Sequence, residues 1–104
     1  MATTTKALAR TAAATSSATL YTVPTTTTTT VVSNIVLSNA ATSASTATIA
    51  FDGVTIVPAV SIPANSVVGF DMKQVIPANA TPKVITGFAS TTAVSIHISG
   101  VEIS

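Results

Sequence analysis

The sequence has no cysteine, no tryptophan and a single histidine, His97. Without cysteine the chain can form no disulfides, no thiolate zinc site and no cysteine nucleophile. One histidine and three scattered carboxylates supply almost none of the groups from which an active site is built. We therefore predict that the protein is not an enzyme and that it binds no cofactor or metal ion.

Charge is scarce as well, because the chain has only four basic and three acidic side chains and a net charge of +1. Nucleic-acid binding depends on clustered Lys and Arg that displace phosphate counterions, and no such cluster is present. The apolar runs are a few residues long, whereas a membrane-spanning helix needs about 20 and a secretory signal about 7–15. The sequence thus predicts neither nucleic acid nor a membrane as a partner.

The chain is instead rich in Thr, Ser and Ala, which together make up about half of it, and 47% of its residues are apolar. Val, Ile and Thr are stiff at χ1 and favour a pleated strand. Turn signals, among them Asp52-Gly53 and Pro63-Ala64-Asn65, divide the chain into about eight short segments. We predict an all-β fold, a single β-sandwich or jelly-roll-like domain over residues 20–104.

Residues 1–19 are basic, small and poor in large apolar side chains, with Leu8 as the exception among them. Such a segment cannot bury enough apolar surface to fold alone. We interpret it as an extended N-terminal arm that becomes ordered against a neighbouring protein. A transit peptide is an alternative, and residues 6–14 are rich enough in alanine to form one or two helical turns.

Two patterns bear on the interior of the sandwich. Residues 31–38 are apolar at both odd and even positions, which predicts a strand buried on both sides or at a subunit contact. In the last segment Val94, Ile96 and Ile98 share one face, and after Gly100 the apolar positions change parity. This change predicts a β-bulge at Gly100.

The predicted core is small, because the chain has one tyrosine and three phenylalanines to supply large rings. Small domains of this kind usually gain stability from disulfides, metals or oligomerisation, and only the last remains here. We expect self-association, in the form of a homotrimer, since charges are depleted where subunits pack. The candidate partner-binding residues are Lys6, Leu8, Arg10, Tyr21, Val31, Ile35, Leu37 and His97. His97 is interpreted as a structural or interface histidine rather than a catalytic one.

Three short motifs occur in a fixed order: LYTVP at residues 20–24, SIPAN at 61–65 and HISGVEI at 97–103. In this respect the chain resembles a group of small bacteriophage virion structural proteins, in which a strand with the first motif follows a short N-terminal arm and the ISGVEI motif closes the chain. The resemblance implies a location in the virion, with the major capsid protein or tail proteins as partners.

The resemblance leaves the place of the protein on the particle open. One hypothesis is a capsid decoration (cement) protein that binds the capsid exterior as an oligomer through its sandwich and its arm. A phage tail or head–tail connector protein is the alternative within the same class. A small carbohydrate- or receptor-binding adhesin module is the alternative from a different class.

Overall fold

The structure, a computed structural model, describes residues 3–24, 27–81 and 83–103. Met1 and Ala2 of the predicted arm, and Thr25, Thr26, Pro82 and Ser104 of the predicted domain, lie outside the described residues. Within these ranges the chain forms eight strands: β1 (Thr3–Ala12), β2 (Ala18–Thr22), β3 (Thr29–Asn39), β4 (Ser45–Phe51), β5 (Val54–Ile62), β6 (Ser66–Ile76), β7 (Val84–Ala89) and β8 (Val94–Ile103).

The strands form two antiparallel four-stranded sheets. The first sheet has the order β1-β8-β3-β6, and the second has the order β2-β7-β4-β5. The pairs β1·β8, β2·β7, β3·β6 and β4·β5 are nested along the chain, which is the strand order of a jelly roll. The predicted all-β sandwich of about eight strands is confirmed.

Both sheets contribute aliphatic side chains to one core. The largest side chains with almost no exposed area are mainly isoleucines from both sheets. The three phenylalanines lie at the margin of this core or outside it, since none belongs to the fully buried set. A single chain therefore packs a core of its own with aliphatic side chains. The fully buried large residues are Val23, Thr30, Val32, Ile35, Leu37, Ile49, Ile62, Ile85, Val94, Ile96 and Ile98.

The N-terminal segment is a strand of the first sheet, which corrects the prediction of a free arm for residues 3–12. β1 pairs with β8 along its whole length, and Leu8, Ala9 and Ala13 are buried. The helical turns considered for residues 6–14 are absent from the described part of this segment. Without β1 the outer edge of β8 would have unpaired backbone groups, so backbone hydrogen bonds together with a few buried side chains hold this alanine-rich strand in the sheet.

The predicted bulge lies in the strands next to Gly100 and not in β8 itself. Register shifts occur at Leu8 in β1 and at Ser33 in β3, while burial alternates regularly along β8 from Val94 to Gly100. The side chain of Leu8 packs over Gly100. The alternation of β8 therefore continues through Gly100, and Glu102 faces inward. The sequence pattern had instead predicted that Val101 and Ile103 would face inward after a bulge.

The shift at Ser33 also shows that residues 31–38 are not fully buried on both faces within the single chain, whereas the subunit contact given as the alternative stays a prediction. The shift places Val32, Ile35 and Leu37 on the same inward face. Val31 and Val36 point outward and are half-buried. One extra residue thus converts an apparently two-sided apolar strand into a strand with one core face and one outer face.

The turn predicted at Asp52-Gly53 is present in the structure. Asp52 and Gly53 connect β4 to β5 with φ values of 53° and 76°, so both central residues have positive φ, as a type I′ hairpin requires. At the far end of β3, the buried Asn39 amide donates to the carbonyls of Ser43 and Ile62. These hydrogen bonds tie the first sheet to the loops that enter and leave the second.

Candidate interaction surfaces

A polar cluster joins the two sheets at the end of the sandwich where β8 finishes. The Tyr21 hydroxyl of β2 donates to the Glu102 carboxylate of β8 and lies 2.9 Å from the Thr30 hydroxyl of β3. The Lys6 ammonium of β1 lies 3.4 Å from the same carboxylate, on the solvent side. Tyr21 and Lys6, two of the predicted partner-binding residues, therefore each contact Glu102 of the same chain.

Burial and the Glu102 carboxylate raise the pKa of Tyr21 from 10.0 to about 12, burial being the larger cause. Because the folded-state pKa lies above the unfolded one, the stability that Tyr21 contributes is present below pH 10 and is lost as the pH rises through about 12. The chain has one tyrosine and no tryptophan, so its absorbance reports this group alone.

We expect the tyrosinate absorbance to titrate near pH 12 in the folded protein and near pH ~10 in denaturant. Tyr21→Phe should remove the tyrosine-linked loss of stability above pH ~10 and cost about 1–2 kcal/mol at neutral pH. The measurement is a spectrophotometric titration combined with urea unfolding at several pH values. A folded-state midpoint near pH ~10 would contradict the buried, hydrogen-bonded position of Tyr21.

Four of the predicted partner-binding residues belong to the interior of the single chain. Ile35 and Leu37 have no exposed area, and Leu8 and Tyr21 are also buried. The prediction that they contact a partner is therefore corrected, because no surface of the folded chain presents them. An apolar side chain satisfies a core and an interface equally well, and the sequence pattern does not separate the two.

Arg10, Val31 and His97 lie on the outer face of the first sheet. Arg10 of β1 stands in register with His97 of β8, and His97 is in turn in register with Val36 of β3. Ser95 and Ser99 share the face of His97, because Val94, Ile96 and Ile98 occupy the opposite, buried face of β8. The outer face of the first sheet is defined by Thr3, Thr5, Ala7, Arg10, Ala12, Thr29, Val31, Asn34, Val36, Ser38, Val67, Gly69, Asp71, Lys73, Val75, Ser95, His97, Ser99, Val101 and Ile103.

Two residues of this face had not been singled out from the sequence. Val67 and Val75 of β6 are 65% and 57% exposed, although both are large and apolar. Val67 adjoins Val68 in the chain, and Val75 adjoins Ile76, so local alternation could not show which member of each pair faces outward. The register with Ser38 and Val31 of β3 assigns both to the outer face.

The outer face of the second sheet has a different composition. Its register rows bring together threonines from all four strands, with Thr19, Thr86 and Thr55 flanking Ala50 in one row. Phe88 lies in register with Thr48 in the next row and is 37% exposed. Hydroxyls and one aromatic ring thus take the place of the valines that cover the first sheet.

Groups of metal-ligating side chains and membrane-spanning helices were both sought among the described residues. Over residues 3–24, 27–81 and 83–103, no three His, Cys, Asp or Glu side chains approach closely enough to hold a metal ion. In the same ranges there is no helix with the length and apolar character needed to cross a membrane. No protein-family model, characterised protein or solved structure matches the chain.

Proposed function

We propose that this chain is a non-enzymatic structural protein of a bacteriophage particle, a decoration protein that binds the outside of the capsid as an oligomer. The motif resemblance supports the assignment to the virion. The jelly-roll topology agrees with it, because such folds occur in viral capsid domains, although a fold by itself does not specify a function. A homotrimer is the proposed form of the oligomer.

The observation that carries the proposal is the outer face of the first sheet. On this face His97 lies in register between Arg10 and Val36, and the charged members of the face are Arg10, Asp71 and Lys73. Val67 and Val75 leave more than half of their area in solvent. A broad sheet face on which large valines stay exposed is typical of a surface that packs against another protein.

One edge strand of each sheet, β5 and β1, carries features that oppose strand addition. β5 carries Pro58, which lacks a backbone N–H, and Ala59 with a φ of 44°. β1 carries a bulge at Leu8 between Lys6 and Arg10. Proline, bulges and basic side chains are devices that prevent edge-to-edge pairing of sheets. At these two edges a neighbouring subunit or the capsid is therefore not expected to add a strand, and the outer face of the first sheet is the proposed contact.

We expect Val67→Asp to lower the occupancy of the protein on particles, or its self-association constant, at least about tenfold, because it would bury an unpaired carboxylate in the contact. The matched control is Val54→Asp, since Val54 is 71% exposed but lies in β5 of the second sheet, next to the Asp52-Gly53 turn. Both variants should fold normally, with unfolding free energies within about 0.5 kcal/mol of the parent.

The measurements are light scattering of the purified protein and quantitative mass spectrometry of purified particles. Hundreds of copies per particle support decoration, whereas a few copies support the alternative of a tail or head–tail connector protein. A parent chain that is monomeric at every concentration and absent from the particle would overturn the proposal. So would equal losses of binding in the Val67→Asp and Val54→Asp variants.

A further inference from the structure

A groove of about 270 Å³ crosses the outer face of the second sheet, on the side of the molecule opposite the proposed capsid contact. It is lined in part by Phe88, Ala50, Thr55, Thr86 and Ser17. Ala50 lies in register between Thr86 and Thr55, so a small side chain stands between two larger ones. The groove therefore follows from the strand register and the difference in side-chain size.

The described lining favours a neutral occupant, because it offers no charged side chain to pair with an ionised ligand. All of its residues are uncharged, and they include Ser, Thr, Ala and Gly beside the ring of Phe88. The volume is below the range of about 300–1,000 Å³ that drug-sized ligands occupy. A neutral molecule about the size of a single ring fits both the charge and the volume.

The side chains further restrict the chemistry of that ring. Phe88 presents an aromatic surface that is 37% exposed, and covering it with apolar C–H groups is favourable. The hydroxyls of Thr55, Thr86 and Ser17 each offer one donor and two acceptor positions around it. The Thr48 hydroxyl already accepts a hydrogen bond from the amide of Ala59 at 3.2 Å, which fixes the wall next to Phe88. A ligand that fits has one apolar face and a rim of hydroxyls.

We propose that this groove binds one neutral pyranose sugar, with the C–H face of the sugar stacked on Phe88 and its hydroxyls bonded to Thr55, Thr86 and Ser17. The site is separate from the outer face of the first sheet and does not depend on the proposed virion function. It gives the protein a second binding activity, directed toward neutral glycans on the side that faces away from the capsid contact.

Saturation-transfer NMR on the full chain tests the proposal, with methyl β-galactoside, methyl α-mannoside and N-acetylglucosamine as probes. We expect transfer from the protein to the C–H protons of one sugar face, with a dissociation constant of about 1–10 mM for a ligand of this size. Phe88→Ala should weaken binding about tenfold, and Ala50→Val should abolish it by filling the groove.

The matched control is Thr46→Val, because Thr46 lies on the same strand and the same outer face but outside the groove. Thermal unfolding of each variant establishes that it is folded before binding is measured. Absence of transfer to all three sugars from the parent protein would overturn the proposal. Transfer that persists unchanged in Phe88→Ala and Ala50→Val would overturn it as well, whatever the outcome of the particle-binding experiments.

Discussion

Replacing Gly100 with alanine is expected to lower the free energy of unfolding by more than about 3 kcal/mol. A Cβ at this position would overlap the carbonyl oxygen of Val31 and come within 3.0 Å of Leu8 Cδ1. The first of these atoms is backbone in β3, so relief requires the strand itself to move. Domains of about 100 residues have a total stability of roughly 5–15 kcal/mol, and the loss is a large part of it.

Gly69→Ala is the matched control, since Gly69 lies in β6 of the same sheet and a Cβ there would meet only ordinary contacts at 3.9 Å and beyond. Its effect should stay within about 0.5 kcal/mol, because alanine restricts the unfolded chain and fits the space. Gly87→Ala should fall between the two, since its two nearest atoms are the side-chain ends of Leu20 and Ile49, at 2.8 and 2.9 Å, and the backbone oxygen of Thr48 is farther away at 3.1 Å.

Urea unfolding followed by circular dichroism gives the three free energies. Equal values for Gly100→Ala and Gly69→Ala would show that β3 and Leu8 do not approach Gly100 as closely as described. The same result would remove the explanation of the bulges in β1 and β3, because Leu8 would have no glycine to cover.

Features that depend on neighbouring residues in the chain were predictable from the sequence. The Asp52-Gly53 hairpin follows from positive φ at two adjacent residues, and both have it. The abundance of Val, Ile and Thr predicted the sandwich, because β-branched side chains favour strands wherever they pair. Neither inference required knowledge of which strands are neighbours.

Features that depend on register between distant strands were not predictable. The bulge at Ser33 changes which residues of β3 face inward, and nothing in residues 31–38 marks the position of the extra residue. Glu102 faces the interior in register with Thr30 of β3, and its carboxylate accepts a hydrogen bond from Tyr21 of β2. The partner residues Ile35 and Leu37 were misassigned for the same reason, since their burial is decided by the opposite sheet.

The candidate surfaces also combine features that are set by neighbouring residues with features that are set by the register between distant strands. The position of His97 between Ser95 and Ser99 followed from alternation within one strand. The groove beside Phe88 needed the pairing of β7 with β4 and of β4 with β5, which brings Phe88, Ala50 and Thr55 together from three strands. Sequence alone gave Phe88 no distinction from the other two phenylalanines, which pack against the core.

A second large effect is expected at β1, where two alanines two residues apart have opposite environments. Ala9 is 8% exposed and packs in the core, whereas Ala7 is exposed on the outer face in register with Ser99. Ala9→Asp would bury a carboxylate with no partner and should cost more than about 3 kcal/mol. Ala7→Asp should change the free energy of unfolding by no more than about 0.5 kcal/mol.

The comparison distinguishes an integral strand from a free arm, because an arm outside the sandwich would accept aspartate at both positions. Thermal unfolding should place the Tm of Ala9→Asp more than about 12 °C below that of Ala7→Asp. Hydrogen exchange should show that the amides of β8 that pair with β1 lose protection in Ala9→Asp alone. Equal melting of the two variants, with β8 equally protected in both, would return residues 3–12 to the role of an arm that orders only against a neighbouring protein.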